Sequence, residues 1–343
     1  MSDPARRTPN MYDVAQLAGV SHQTVSRVLN GAGGVRPTTT ERVLEAIREL
    51  GFRPNRAART LATRRSRAIG VLAPASAEFG PMSSLHAIEH ATRDAGYRPL
   101  ITSAPADPVA IRESLEFLLD QSIEALVVIA PYASMLGELM LGDELPLVVL
   151  NTGETPTGTA VTVDQAAGAR LLARHLLDLG HRRIQQVAGP MDFFDAVVRR
   201  RAVDDLLRAE GLPVLPALSG DWTADSGYAA AAALDPTATA IVCGNDQMAL
   251  GLIHGLSDLG RRVPAEVSVV GFDDIPESAH SLPPLTTVHQ DFAEVGRRAV
   301  ALLVGRLDGT AAEGVDPSVE PWLVVRHSTA PPRSEGAASA AGM

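Results

Sequence analysis

The sequence predicts a small all-α head carrying a helix-turn-helix, joined to an α/β body of two lobes in which parallel sheets are flanked by helices. Three observations predict it. Residues 12–30 read YDVAQLAGVSHQTVSRVLN, where an apolar-patterned segment runs into Gly19 and a second helical segment begins at His22 after Val20 and Ser21. From Ala68 onward the apolar runs IGVLA, ALVVIA, LVVL, IQQVAG, AIVCG and VSVVGFD alternate with helical patterns, and strands that are apolar on both faces belong to parallel sheets covered on both sides. The charge is divided as well: residues 1–70 hold 12 Arg against 5 Asp and Glu, and the rest of the chain holds 18 Arg against 35 acids. A basic head on an acidic body is the footprint of a nucleic-acid-binding domain attached to a part that stays off nucleic acid.

The elements follow in order. Residues 1–9 are polar and expected to be disordered. A first helix covers residues 12–18, and Gly19 supplies the left-handed turn that ends it. Ser21 has the hydroxyl that caps the second helix by accepting from one of its free N–H groups. A third helix is predicted over about 39–50, with Thr38 and Glu41 spaced as a capping box and Gly51 as the stop. Val43, Leu44, Ile47 and Leu50 repeat at helical spacing and are expected to close a small core with Val14, Leu17, Val25 and Val28. Pro54 then breaks the chain, and Asn55 can cap a short helix to about Thr63 that has too little apolar surface to be stable alone. Body helices are expected over about 84–95, 108–121, 166–180, 196–211, 226–234 and 246–259. The strand–helix units are too many for one simple sheet, hence two lobes. The division is therefore a head over 1–54, a hinge helix and linker over 55–67, a body over 68–330 and a low-complexity, disordered tail over 331–343. Within the body, the N-lobe takes about 68–162 and 291–321, and the C-lobe about 163–290 and 322–330.

Several function classes are excluded on composition and motif. One cysteine, Cys243, allows neither a disulfide nor a cysteine-rich metal site within a chain. The N-terminus lacks the apolar segment of a signal peptide, and no run of about 20 apolar residues could span a membrane, so a cytoplasmic protein is expected. His86 and His90 stand four apart on a predicted helix but lack a third ligand nearby, so no metal is assigned. Neither phosphate-loop motif, GxxxxGK[ST] or GxGxxG, occurs. No Ser/His/Asp set sits in a recognisable nucleophile turn. No enzyme activity, catalytic residue or cofactor is expected. All 30 basic residues are Arg, which fits a compositional bias of the genome, yet each exposed one can pair with phosphate.

In a helix-turn-helix the second helix enters the major groove with its N-terminal residues at the base edges. Those residues are His22, Gln23 and, one turn on, Arg27. An arginine can bond guanine bidentately and a glutamine adenine. Tyr12, Ser21, Thr24, Ser26 and Asn30 are better read as phosphate contacts that fix register; a core-facing position is the alternative for Ser26. Asn55 and Arg56, at the start of the hinge segment, complete this DNA-facing set.

The head residues YDVAQLAGVSHQTVSRVLN and FRPNRAARTLA, followed in the body by GHRRIQQVAGP, GDWTADSGY, NDQMALG, VSVVGFDD and PPLTTVHQD, match one family in order and spacing. Over residues 11 to about 330 the chain resembles the lactose-repressor (LacI/GalR) family of transcription regulators. The resemblance implies a periplasmic-binding-protein-like body with a small-molecule effector between its lobes, a homodimer, and a pseudopalindromic double-stranded operator. It implies that Leu61 wedges into the minor groove beside its dimer mate, where the residues alone allow a leucine packed on its own helix. It also implies that Asn151, Arg199, Trp222, Asn245, Asp273 and Gln290 contact the effector. These types suit a sugar: an aromatic face for the ring and Asn, Asp and Arg groups for its hydroxyls, although Trp222 also fits a lobe-packing role. Asp246 and Asp274 read equally as helix caps and stay outside the set.

Four departures from the family qualify the expectation. The tail APPRSEGAASAAGM has no leucine heptad, so a dimer rather than a tetramer is expected. His22 stands where a tyrosine occurs in the family, and Asn151 where an aspartate does. The segment PASAEFGPMSS differs in detail, which leaves the effector open. The expected function is repression of sugar-utilisation genes, relieved when a sugar such as a galactoside fills the cleft. The alternative is a co-repressor type in which a ligand such as a purine strengthens DNA binding.

Overall fold

The computed structural model describes residues 9–29, 33–52, 65–137, 145–151, 159–310 and 314–333. Asn30, Asn55, Arg56, Leu61, the expected hinge helix and residues 334–343 of the tail lie outside them. The chain divides into two units, residues 1–66 and 67–343.

The first unit holds helices α1 (Met11–Ala18), α2 (His22–Leu29) and α3 (Pro37–Leu50). Asn10 caps α1 in a reciprocal box with Asp13, and Gly19 ends it at φ 64°. Ser21 Oγ accepts from the Thr24 N–H at 3.2 Å, so the hydroxyl caps α2. The capping box expected for α3 does not form. Pro37 occupies the first turn, Arg36 precedes the helix and no side chain caps it. Proline's fixed φ starts the helix two residues early, which leaves Thr38 inside it. The core also differs in membership from the one expected. Val14, Ala15, Ala18, Val25, Val43, Ala46 and Phe52 are buried, with Val28, Ile47 and Leu50 packed at its edge. Leu17 and Leu44 are 45% and 46% exposed and take no part. Phe52 joins the core, because the turn at Gly51 (φ 63°) folds it back until its N–H reaches the Ile47 carbonyl at 3.0 Å.

The second unit is built on two parallel sheets. The first uses β1 (Ala68–Pro74), β2 (Arg98–Ala104), β3 (Ala125–Ile129), β4 (Leu147–Leu150), β5 (Thr159–Val163) and β11 (Ser318–Val319), in the order β11-β5-β4-β3-β1-β2. One face is covered by α4 (Phe79–Asp94) and α11 (Phe292–Leu307), burying Ile69, Val71, Val127, Val148, Ile88, Ala299 and Leu303. The other is covered by α5 (Pro108–Asp120) and the short α6 (Ala133–Gly137), burying Leu72, Leu126, Val128, Ile111, Leu118 and Met135. The second sheet uses β6 (Ile184–Ala188), β7 (Leu218–Ser219), β8 (Ala240–Cys243) and β9 (Ser268–Val270), in the order β7-β6-β8-β9. Helices α7 (Gln165–Asp178) and α8 (Phe194–Ala209) pack on one face, and α9 (Ala224–Ala230) and α10 (Asp246–Asp258) belong to the core on the other. The last two pack backbone to backbone: a Cβ on Gly251 would lie 1.8 Å from the Ala224 carbonyl oxygen.

The chain passes from the first sheet to the second after β5, returns before α11 and leaves again after β11. An antiparallel ribbon of β10 (Thr287–His289) and β12 (Trp322–Val324) stands at these crossings. Every strand run named from the sequence is a strand. The pattern missed β2, an edge strand whose residues are mostly half-exposed, and the short β5, β7, β10, β11 and β12. No helix among the described residues is long and apolar enough to cross a membrane.

Candidate functional site

Two surfaces carry chemistry. On the head, α2 buries Val25 and leaves His22, Gln23 and Arg27 exposed, with Thr24 and Ser26 half-buried. Ser21 Oγ lies 3.0 Å from Thr24 Oγ1. Tyr12 is 68% exposed, and its ring stacks on His22 with centroids 5.3 Å apart, a contact the sequence pattern did not suggest. The base-edge candidates therefore project from the first turns of one helix, with no core role to occupy them.

On the body, a cleft is lined by Glu78, Phe79, Gly80, Pro81, Pro131, Asn151, Phe193, Asp195, Arg199, Trp222, Asn245 and Asp273. Its position follows from topology. Pro131 and Asn151 follow the carboxyl ends of β3 and β4; Trp222, Asn245 and Asp273 follow those of β7, β8 and β9. In parallel α/β sheets these ends are where ligands bind. Both sheets contribute, so the cleft lies between the two lobes.

Arg199 organises the floor. It is buried, its Nε donates to Gln165 Oε1 at 2.8 Å and its Nη1 to the Gly244 carbonyl at 2.7 Å. Its guanidinium lies 3.7 Å over the Phe272 ring and within 3.8 Å of Asp195 and 3.7 Å of Asp273. Gln290 Nε2 donates to Asp273 Oδ1 at 2.7 Å while its Oε1 accepts from Gln165 Nε2 at 2.9 Å. Gln290 thus holds Asp273 from behind and is not among the lining residues. Asn245 lines the cleft, but its side chain is spent locally: Oδ1 caps α10 through the Met248 N–H, and Nδ2 donates to the Trp222 carbonyl at 3.0 Å. Asn151 accepts from Ser84 Oγ at 3.2 Å.

Trp222 is 9% exposed. Its ring lies against the Gly189 backbone, where a Cβ would come within 2.2 Å of it, and meets Phe193 edge to face. Its Nε1 has no hydrogen-bond partner among the described residues. Asn151, Trp222, Asp273 and Asp274 all have positive φ (60°, 72°, 121° and 58°), and such strain in non-glycine residues gathers at functional sites.

Neither Asp246 nor Asp274 caps a helix. Asp246, fully buried, accepts from Thr287 Oγ1 at 2.5 Å, Ser278 Oγ at 2.7 Å and the Ile275 N–H at 3.0 Å. Asp274 pairs with His289 at 2.9 Å and Arg326 at 2.6 Å. Glu78, Asp195 and Gln165 were missed. Asp195 stands four residues before Arg199 on a helix face, a spacing that signals an ion pair; Glu78 lies in the segment already marked as departing from the family.

One cation between the buried Asp273 carboxyl and the half-buried Asp195 carboxyl balances charge only if one acid keeps a proton. Burial pushes the Asp273 carboxyl up to about 8 against the opposing pull of Arg199, and burial likewise raises Asp195. Since the folded value of Asp273 exceeds that of an unfolded carboxyl, the native state holds a proton the unfolded chain releases. Its contribution to stability falls as pH rises from about 4 to about 8. Asp273→Asn should therefore remove on the order of 2 kcal/mol of pH dependence between pH 6 and pH 8, read by denaturant unfolding at both values. An unchanged slope would show that Asp273 is ionised throughout.

A helix-turn-helix head on a body of two parallel α/β lobes around a polar cleft defines a ligand-responsive transcription regulator. The description "Bacterial regulatory proteins, lacI family" matches residues 10–55, and "Periplasmic binding protein-like domain" matches 173–329. The HTH-type transcriptional repressor PurR of Pasteurella multocida (strain Pm70) is 33% identical over 324 residues, covering 92% of this chain and 97% of that protein. The lactose operon repressor of Escherichia coli (strain K12) is 32% identical over 333 residues, covering 95% and 92%. The chain belongs to the lacI family of regulators. Among solved structures, the lac repressor dimer bound to operator and the anti-inducer ONPF aligns with a TM-score of 0.84 at 32% identity, covering 94% of this chain and 100% of that one. A complex of the transcriptional regulator CelR with cellobiose aligns at 0.69 and 31%, covering 93% and 99%.

Proposed function

We propose that this chain is a dimeric repressor of sugar-utilisation genes that leaves its operator when a sugar fills the interlobe cleft. The observation that carries this reading is the convergence, at the carboxyl ends of strands from both sheets, of Asn151, Arg199, Trp222 and Asp273 with Asp195 and Glu78. Polar groups of this kind beside aromatic and proline side chains suit a polyhydroxylated ring. Similarity to the CelR–cellobiose complex supports a sugar, and similarity to the operator-bound lac repressor dimer supports the DNA target and the dimer. Asn245 and Gln290 act by holding Trp222 and Asp273.

On DNA, Arg27, His22 and Gln23 read base edges. Tyr12, Ser21, Thr24, Ser26, Asn30, Asn55 and Arg56 set register on phosphates, and Leu61 wedges the minor groove at the operator centre. A ligand bridging the lobes favours a closed body, which separates the two hinge segments and weakens DNA binding. Coupling is reciprocal, so operator must weaken sugar binding by the same factor.

A thermal-shift screen of galactosides, glucosides and pentoses identifies the ligand, since a molecule that binds only the folded state raises Tm. For the sugar found, Asp273→Ala should weaken binding by about 5- to 150-fold, the cost of leaving a buried hydroxyl unpaired. Full affinity in that variant would move the site elsewhere.

A further inference from the structure

Resting on the sugar reading above, we infer that the cleft is selective for uncharged saccharides, and that Glu78 is a specificity-determining residue that turns away phosphorylated and acidic sugars.

Charge carries the first part. Among the described lining residues stand three carboxyl side chains, Glu78, Asp195 and Asp273, and one cation, Arg199. That cation is already engaged by the protein. Two of its nitrogens already donate to Gln165 and Gly244, its face lies on Phe272, and Asp195 and Asp273 flank it. With one of Asp195 and Asp273 holding a proton, Arg199 balances the other, so a phosphate or carboxylate entering the cleft meets Glu78 without an uncompensated positive partner, and a like-charge contact of this kind is costly when solvent is excluded.

Unpaired polar groups carry the second part. Glu78 Oε2 is shielded from solvent and has no hydrogen-bond partner among the described residues. Trp222, more than nine-tenths buried, leaves its Nε1 likewise unpartnered. Both residues line the same cleft. One group only accepts and the other only donates, and a buried polar atom left unpaired is unfavourable. A hydroxyl both donates and accepts, so the hydroxyls of a sugar suit both groups. A phosphate or carboxylate oxygen satisfies Trp222 alone and opposes Glu78.

The test titrates the full chain with matched pairs at fixed ionic strength: galactose and galactose 6-phosphate, glucose with glucose 6-phosphate and glucuronate, cellobiose and its 6′-phosphate, and hypoxanthine alongside. The neutral member of the responding pair should bind at least about tenfold more tightly than its anionic partner. Glu78→Gln, which keeps shape and removes charge, should narrow that ratio severalfold. An anionic sugar binding as tightly as its neutral partner, or tighter, overturns the selectivity and leaves the sugar reading intact. An unchanged ratio in a folded Glu78→Gln protein removes Glu78 from the proposal. Binding of hypoxanthine with no saccharide bound overturns the sugar reading and this inference with it.

Discussion

Arg27→Ala is expected to cost about 1–3 kcal/mol of specific operator binding per half-site, which for a dimer on two half-sites is about 2–6 kcal/mol. Arg27 projects from the exposed face of α2, while Val25 alone on that helix is buried. The head's core should not register the change, and Tm should stay the same. Binding to random DNA should fall far less, because a base contact adds nothing there, whereas a phosphate contact contributes to every sequence. The comparison is made at one salt concentration with operator and random duplexes. Equal losses on both would make Arg27 a phosphate contact and remove the main source of sequence reading from α2.

Asp246→Ala should produce the largest loss of stability in the body. The carboxyl is fully buried and accepts three hydrogen bonds, from Thr287, Ser278 and the Ile275 N–H. Burial raises its pKa, and those hydrogen bonds oppose the rise. Truncation leaves three buried donors without an acceptor, at roughly 1–3 kcal/mol each, partly offset by removing the buried carboxyl. A net loss of about 3 kcal/mol corresponds to a Tm lower by roughly 6–12 °C for a body of this size. Two of these bonds, from Ile275 and Ser278, tie the segment after Asp273 and Asp274 to α10, so the variant should also bind effector less well. A Tm within about 1 °C of the parent would mean that the segment is held by other contacts.

Much of this fold is written in local pattern. The apolar runs of β1, β3, β4, β6, β8 and β9 are buried and continuous, and a strand with no polar face announces itself. The turn at Gly19 and the cap at Ser21 are also local, and both follow from residue type. What stayed hidden depends on distant partners. Strand β2 is legible only once β1 lies beside it, because its own residues are largely half-exposed. Leu17 and Leu44 have helical core spacing yet stand exposed, while Phe52, brought back by one glycine turn, joins the core. In the cleft, residue type identified Arg199 and Asp273 but not how each is used. Asn245 caps its own helix, and Gln290 holds Asp273 from 17 residues away in sequence. Asp246 looked like a cap because it opens α10, yet the residue before it does the capping.

The most direct measurement is operator affinity of the full chain, by fluorescence anisotropy at fixed salt, with and without a saturating concentration of the sugar that raises Tm. Affinity should fall by about 5- to 150-fold when the sugar is present, the usual span of a coupling free energy of 1–3 kcal/mol. In Asp273→Ala, the same sugar concentration should leave operator affinity close to its sugar-free value. An operator affinity that rises on adding ligand would contradict induction and make the protein a co-repressor type; an affinity that does not move would sever the cleft from DNA binding altogether.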